Sequence, residues 1–211
     1  MCAFEVRECM DPVCRLRLPI EIEIHSGAFC PRCGAPMRCV VPPFANLDSP
    51  HKAGLTTRHL SVILDNIRSA YNVGAIFRTA DGVGLRHIYL CGITPTPNDN
   101  PAVSKTALGA ERGIPWSSHP NAVLLAQDLR EKGYRLLALE CTPSSVLIYQ
   151  YPLEKAPEQP IALILGNERA GVDPGLMELC DAMIALPMVG GKASLNVAVA
   201  FGAAAYWLSF G

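Results

Sequence analysis

The last third of the chain, residues 160–211, constrains the fold more than any other stretch. Two apolar runs, IALIL at 161–165 and AMIALPM at 182–188, end in polar, glycine-containing loops. A long helix rich in small residues is then predicted over 196–210. Ligands of parallel α/β sheets bind just beyond the carboxyl ends of strands, so binding and chemistry are expected in this region.

The alternation of apolar runs and helical periods extends back to residue 60. This pattern predicts an α/β fold, with a mostly parallel sheet and helices on both faces. Asn72 is placed to cap the first helix, and Gly82 or Gly84 to end it. Further strands are predicted in the runs SVILDN, HIYLCG and RLLALE, and further helices over 103–110, 121–132 and 174–180.

The charge balance gives no strong indication of a partner. The 211 residues carry 18 Lys and Arg against 19 Asp and Glu, a formal net charge of −1. Nucleic-acid binding usually needs a basic surface, but a balanced total still permits charges sorted by face. No apolar run approaches the roughly 20 residues of a membrane span, and no signal peptide is recognised. We expect a cytoplasmic protein without membrane contact.

Clustered cysteines distinguish the first 45 residues from the rest. Cys9-x4-Cys14 and Cys30-x2-Cys33 have the spacing of two knuckles that grip one tetrahedral zinc ion. Between them, RLRLPIEIEI alternates in the manner of a two-stranded ribbon. Ordinary unliganded cysteines and redox work by Cys30 and Cys33 are the alternatives, and Cys2, Cys39 or His25 could enter the ligand set.

A proline-rich polar stretch separates this module from the strand–helix pattern. Residues 46–57 therefore form a predicted linker between a zinc-ribbon-like module at 1–45 and a main domain at 58–211.

Three segments of the main domain together resemble the SPOUT superfamily, in particular the TrmH-like RNA ribose 2′-O-methyltransferases. They are DNIRSAYNVGAIFRTADGVG at 65–84, LILGNERAGV at 163–172 and LPMVGGKASLNVAVA at 186–200. The resemblance implies a C-terminal trefoil knot, bound S-adenosylmethionine, a tRNA or rRNA substrate and a homodimer. The cysteine module looks like a rubredoxin-type zinc ribbon, added in front as an RNA-binding extension.

The resemblance also implies roles for residues in these segments. Glu168 is expected to hold Arg78 by a charge-assisted bond or to touch the RNA. The implied catalytic residues are Arg78, Asn72, Glu168, Ser194 and Asn196. The implied cofactor-binding residues are Leu139, Glu140, Gly166, Asn167, Gly171, Leu186, Met188, Ser194 and Leu195.

Plainer interpretations exist for several of these residues. Asn72, Ser194 and Asn196 could serve only as helix caps, Glu168 as a surface charge, and Arg78 as the partner of a carboxylate. A guanidinium is a poor general base, so the identity of the base stays open. The final helix could lie in a dimer interface or be buried within its own subunit.

The function predicted is an S-adenosylmethionine-dependent RNA ribose 2′-O-methyltransferase. The alternative within the same fold is a catalytically inactive RNA-binding protein. A dinucleotide-binding α/β enzyme is disfavoured, because no G-x-G-x-x-G follows a predicted strand.

Overall fold

The chain forms two compact units, Met1–Leu55 and Thr56–Gly211, in a computed structural model that describes residues 3–45, 58–153 and 159–211. The predicted linker at 46–57 and the alternative zinc ligand Cys2 lie outside the described residues.

The first unit is a three-stranded antiparallel sheet with the strand order β2-β1-β3. The predicted two-stranded ribbon in RLRLPIEIEI is wrong, because this segment supplies only β2, which pairs with β1. Beyond β2 the chain turns back, since the backbone N–H groups of Ile24 and His25 both donate to the carbonyl of Glu21. The strands are β1 (Ala3–Cys9), β2 (Arg17–Glu21) and β3 (Met37–Ala45).

The second unit is built on a seven-stranded sheet whose paired strands are all parallel, as predicted. Its strand order is β6-β5-β4-β9-β7-β10-β8. The strands are β4 (Leu60–Asp65), β5 (His87–Cys91), β6 (Trp116–His119), β7 (Arg135–Leu139), β8 (Val146–Leu147), β9 (Ile161–Leu165) and β10 (Ala182–Ala185).

Helices cover both faces of this sheet, which confirms the predicted class. Val62 and Leu64 of the central strand β4 belong to a core with the helices α1 and α5, whereas Ile63 belongs to a second core with α3 and α4. Every residue of β4 and β9 is buried, as expected of strands covered on two faces. The helices are α1 (Ala70–Val83), α2 (Pro101–Ala107), α3 (Ala122–Glu131), α4 (Pro174–Met177) and α5 (Val197–Phe210).

The differences from the sequence-based expectation lie in short elements. Strands β6 and β8 were not predicted, because each is at an edge of the sheet and is too short for an alternating pattern to stand out. Strand β10 stops at Ala185, before Pro187, whose backbone nitrogen has no hydrogen to donate to a ladder. The trefoil knot stays a prediction.

Candidate active site

A cavity of about 360 Å³ opens at the carboxyl ends of β7, β9 and β10. This is the edge of a parallel sheet where ligands bind. Three loops converge there: the residues after β7, the loop 166–172 after β9, and the segment 186–196 that leads into α5. Its walls are formed by Leu139, Glu140, Cys141, Leu165, Gly166, Asn167, Glu168, Arg169, Gly171, Ala185, Leu186, Met188, Ala193, Ser194, Leu195, Asn196, Val197 and Ala200.

The loop 166–172 folds back on itself into a tight turn. A Cβ on Gly166 would lie 2.2 Å from the carbonyl carbon of Gly171, a separation that only a glycine permits. Gly171 has a left-handed backbone with φ 77°, and Asn167 closes the turn by accepting hydrogen bonds from the N–H groups of Arg169 and Ala170. The turn therefore brings backbone atoms close to the cavity. Side chains are present only at the positions of the turn that have room for a Cβ.

Glu168 fastens this loop to the start of α1. Its carboxylate accepts hydrogen bonds from the backbone N–H groups of Arg68 (2.9 Å) and Ser69 (3.1 Å) and from the side-chain amide of Asn72 (3.0 Å). Partial burial raises the pKa of this carboxyl, but these donors outweigh burial and leave the pKa below its ordinary value. Glu168 is thus ionised at neutral pH, and three of its roughly four acceptor positions are filled.

The expected bond between Glu168 and Arg78 is not observed, since other donors fill the carboxylate. Arg78 is exposed on α1 and makes no hydrogen bond or ion pair within the described ranges of the chain. It lies six residues beyond Asn72, about 9 Å along the helix axis, and does not line the cavity.

Asn72 is not the cap of α1, contrary to prediction. Ser69 occupies that position and its side chain accepts the N–H of Asn72 at 3.3 Å, which leaves the Asn72 amide free to act elsewhere. Besides donating to Glu168, Asn72 accepts a hydrogen bond from the side chain of Asn196 at 3.1 Å. Gly84 ends the helix in a left-handed conformation, one of the two positions predicted.

Asn196 caps the last helix and reaches the site at the same time. Its carbonyl oxygen accepts the N–H groups of Ala198 (3.0 Å) and Val199 (3.4 Å), while its amide donates to Asn72. Capping and a site contact are therefore compatible at Asn196. Ser194 is not the cap, and it lines the cavity from an exposed position.

The structure therefore brings most of the residues implied by the resemblance to one cavity. Asn72 reaches it through Glu168 and Asn196, and Arg78 is the residue that stays apart. Sequence reasoning missed Arg169, although its place directly after Glu168 in a loop after a strand was a usable signal. It also missed Val197 and Ala200, whose three-residue spacing puts both on the cavity side of α5.

The cavity suits a molecule the size of an adenosyl cofactor. Its volume falls within the usual range of small-molecule sites. Its polar lining residues include Glu140, Asn167 and Ser194, and its apolar lining residues include Leu139, Leu186 and Met188. This mixture fits a ligand with a flat adenine and a polar amino acid tail.

In the first unit, the sulfur atoms of Cys9, Cys14, Cys30 and Cys33 all lie within 4.8 Å of one another. The Cys9–Cys33 and Cys14–Cys30 pairs are 3.5 Å and 3.7 Å apart. Four sulfurs at 2.3 Å from a zinc ion would be about 3.8 Å apart at tetrahedral angles. The cluster is therefore consistent with a zinc-binding module. Cys39 is outside it, and its thiol donates to the carbonyl of Val41.

Comparison with known proteins assigns the second unit. The model of the SpoU rRNA Methylase family matches residues 59–206. This chain belongs to the SpoU rRNA methylase family. The family covers the three segments from which the SPOUT and TrmH-like resemblance was drawn, and that resemblance is confirmed.

Two named RNA methyltransferases are similar to this chain over much of its length. The 23S rRNA (guanosine-2′-O-)-methyltransferase RlmB of Neisseria meningitidis serogroup B is 32% identical over 143 residues, 68% of this chain and 55% of the relative. The tRNA (guanosine(18)-2′-O)-methyltransferase of Aquifex aeolicus is 32% identical over 157 residues, 71% of this chain and 68% of the relative. The chain thus spans little more than half of some relatives.

Solved structures agree with the assignment to the SpoU family. An AdoMet-bound rRNA methyltransferase from Sinorhizobium meliloti superposes with a TM-score of 0.65 and 29% identity, over 71% of this chain and 55% of that one. The TrmH/SpoU tRNA modifying enzyme of A. aeolicus gives a TM-score of 0.63 and 28% identity, over 72% of this chain and 76% of that one.

Across the described residues, no helix is both long and apolar enough to span a bilayer.

Proposed function

We propose that this chain is an S-adenosylmethionine-dependent methyltransferase that modifies a ribose 2′-hydroxyl in tRNA or rRNA, in the cytoplasm. The observation that carries the proposal is the cavity at the carboxyl ends of β7, β9 and β10, where Glu168, Asn72 and Asn196 form one hydrogen-bonded chain. An rRNA methyltransferase from Sinorhizobium meliloti with AdoMet bound shares this fold.

The residues around the cavity would bind and orient the two substrates. S-adenosylmethionine supplies an electrophilic methyl group on a sulfonium, and the ribose hydroxyl must meet it in line while losing its proton. We assign cofactor binding to the wall formed by Leu139, Glu140, Leu186, Met188 and Leu195 and by the glycine-containing turn, together with Asn167 and Ser194.

The hydrogen-bonded chain would place polar groups at fixed positions beside the sugar. Ser194 is free to contact the ribose, and Asn72 and Asn196 are held rigidly by their mutual bond and by Glu168. The guanidinium of Arg78, which has no partner among the described residues, would hold a phosphate or the ribose of the target nucleotide. Arg78 then needs access to a cavity that it does not line.

A homodimer would give Arg78 that access. Helix α5 carries an exposed apolar stripe at spacings of one helical turn, which soluble surfaces rarely leave uncovered. Gly82 of α1 abuts this helix, since a Cβ there would lie 3.1 Å from the Tyr206 hydroxyl, and Arg78 is one turn away on the same side. The stripe consists of Val199, Ala203, Tyr206, Trp207 and Phe210.

A second copy docked on this stripe would meet Arg78 at the edge of the interface. We propose that each cavity is completed by Arg78 from the partner.

The first unit would act as a zinc-stabilised RNA-binding extension. Residues 1–45 would form this module, 46–57 the linker and 58–211 the methyltransferase domain.

The first experiment measures methyl transfer from labelled S-adenosylmethionine into bulk RNA. Arg78→Ala should lose at least 100-fold in rate while it keeps its affinity for S-adenosylhomocysteine, because it lies outside the cofactor cavity. Arg86→Ala is the control, an exposed arginine at the opposite, amino-terminal edge of β5. Absence of transfer by the native protein at saturating cofactor would favour the inactive RNA binder, and mapped methylation on bases would contradict ribose specificity.

The second experiment tests the shared site by mixing two inactive variants. If Arg78 completes the partner's cavity, both substitutions of an Arg78→Ala/Asn196→Ala heterodimer fall in the same cavity, and the other cavity is an intact composite site. After subunit exchange, about a quarter of native activity should return if half of the dimers are mixed. No recovery, with exchange verified by mass spectrometry, would mean that Arg78 serves its own subunit.

A further inference from the structure

Glu140 differs from the other polar residues of the cavity in that its carboxylate is anchored but not fully used. It follows the last residue of β7, is partly buried and lines the cavity. Its Oε1 accepts the N–H of Cys141 at 3.1 Å, and its Oε2 accepts the N–H of Val172 at 3.0 Å. Neither oxygen faces a cation within the described residues.

Both backbone groups of Glu140 are held as well. Its N–H donates to the carbonyl of Ile184 in the neighbouring strand, and its carbonyl accepts the Ser145 hydroxyl at 2.7 Å. Glu140 thus joins the wall after β7 to β10 through its main chain and to the 166–172 turn through its side chain. A carboxylate fixed at this many points cannot rotate away from the cavity.

Three other polar side chains of the wall, those of Glu168, Asn167 and Asn196, have little hydrogen-bonding capacity left. Glu168 accepts three hydrogen bonds, Asn167 uses both ends of its amide, and Asn196 does the same. A carboxylate offers about four acceptor sites, of which Glu140 has filled two, one on each oxygen. Glu140 therefore presents two adjacent free acceptor positions on a rigid frame.

Two adjacent acceptors match two adjacent hydroxyl donors. An adenosyl cofactor has one such pair, the cis-diol of its ribose, and bonds from hydroxyls to a carboxylate are among the stronger neutral–ion hydrogen bonds. We propose that the Glu140 carboxylate is the acceptor for the ribose diol of the cofactor. This inference rests on the proposed function and specifies a contact within it.

The test measures binding by calorimetry with three ligands. S-adenosylhomocysteine has the diol and an ammonium group, 5′-methylthioadenosine has the diol alone, and the 2′,3′-dideoxy analogue of 5′-methylthioadenosine has neither. Glu140→Gln should weaken the first two by about tenfold or more, and the third by less than about twofold. Glu131→Gln, an exposed glutamate at the end of α3, is the matched control and should change none of them.

Each other pattern overturns the inference in a recognisable way. Weakening of S-adenosylhomocysteine alone would mean that Glu140 pairs with the ammonium group, and equal weakening of all three ligands would mean that it only holds the turn. If the variant does not fold, the native protein alone decides, since equal affinities for 5′-methylthioadenosine and its dideoxy analogue contradict a diol contact. Failure of the native protein to bind any adenosyl ligand would overturn the proposed function together with this contact.

Discussion

The two units of this chain are stabilised by different means. In the first, the buried apolar cluster consists of Cys9, Cys30 and Met37, and two of these three side chains are thiols. In the second, two cores cover both faces of the sheet and include Phe77 and Phe201 with no exposed surface. Burial of a large apolar side chain contributes about 1.5–3 kcal/mol, so only the second unit has enough of them to offset chain entropy.

The comparison indicates where each unit is vulnerable. Structural zinc in small domains supplies about 10–16 kcal/mol of apparent binding energy, which a three-residue cluster cannot replace. In the second unit, the site depends on glycines such as Gly166, where an added Cβ would lie 2.2 Å from the backbone of Gly171.

Removal of zinc should have the largest effect, and it should be confined to one unit. Chelation, or Cys30→Ser with Cys33→Ser, should abolish hydrogen-exchange protection over residues 3–45 and leave that over 58–211 unchanged. RNA binding should weaken in parallel if the ribbon contacts RNA. Metal analysis that finds no zinc in the native protein, or a first unit that stays protected after chelation, would show that the first unit does not depend on zinc.

Truncation in the second core should have the next largest effect. Phe77→Ala removes a fully buried ring from α1 and should lower the free energy of unfolding of the second unit by about 3–5 kcal/mol. Denaturant unfolding followed by near-UV circular dichroism measures the loss, and zinc content should stay at its native value. A loss below about 1 kcal/mol would show that this core is not the main source of stability of the second unit.

Substitution of Gly171 should have a smaller effect that falls on the site. Gly171→Ala places a Cβ at φ 77° and 2.7 Å from Oε2 of Glu140, which should cost about 1–3 kcal/mol and weaken binding of S-adenosylhomocysteine. Gly133→Ala is the matched control, since φ is 85° there and nothing lies within 4 Å of the added Cβ. Equal effects on affinity would show that contact with Glu140 is irrelevant.

A pH titration should reveal the smallest effect. The pKa of Glu168 is lowered in the folded state, so its contribution to stability is complete above the unfolded pKa of about 4.3 and is lost as pH falls through the lower folded value. Glu168→Gln should therefore cost no more than about 1 kcal/mol at pH 7, because the side chain is exposed and solvent screens its charge, and the difference from the native protein should shrink below about pH 4.3. A difference independent of pH would rule out this linkage.

Much of the fold could be predicted from local patterns in the sequence. The runs that became β4, β5, β7 and β9 were recognised because buried parallel strands are continuous apolar segments, and the helix predicted over 121–132 matches α3 to within one residue at each end. The edge strand β6 was missed because Trp116–His119 mixes polar residues in a run of four. So short a segment is a strand because it pairs with β5, and the local sequence does not indicate that pairing.

The residues that form the site were easier to predict than the hydrogen bonds between them. Family motifs indicated which residues belong to it, but the expected Glu168–Arg78 pair was replaced by bonds from Glu168 to Arg68, Ser69 and Asn72. The hydrogen-bond partner of a side chain depends on which groups folding brings within about 3 Å of it. Glu168 and these partners are about a hundred positions apart, and the sequence does not indicate that they meet. Glu140 shows the same limit, because its bond to Val172 exists only once the turn has closed.

The hydrogen bonds that link Glu168, Asn72 and Asn196 have a fixed donor-to-acceptor direction, which the Glu168 carboxylate determines. An ionised carboxylate can only accept, so the Asn72 amide must point its nitrogen toward Glu168 and its oxygen toward Asn196. Asn196 must then turn its own oxygen to the exposed N–H groups of α5. Neither amide can flip without breaking a bond, so a ligand that entered this corner would meet dipoles whose direction was set when the protein folded, with no reorientation left to perform.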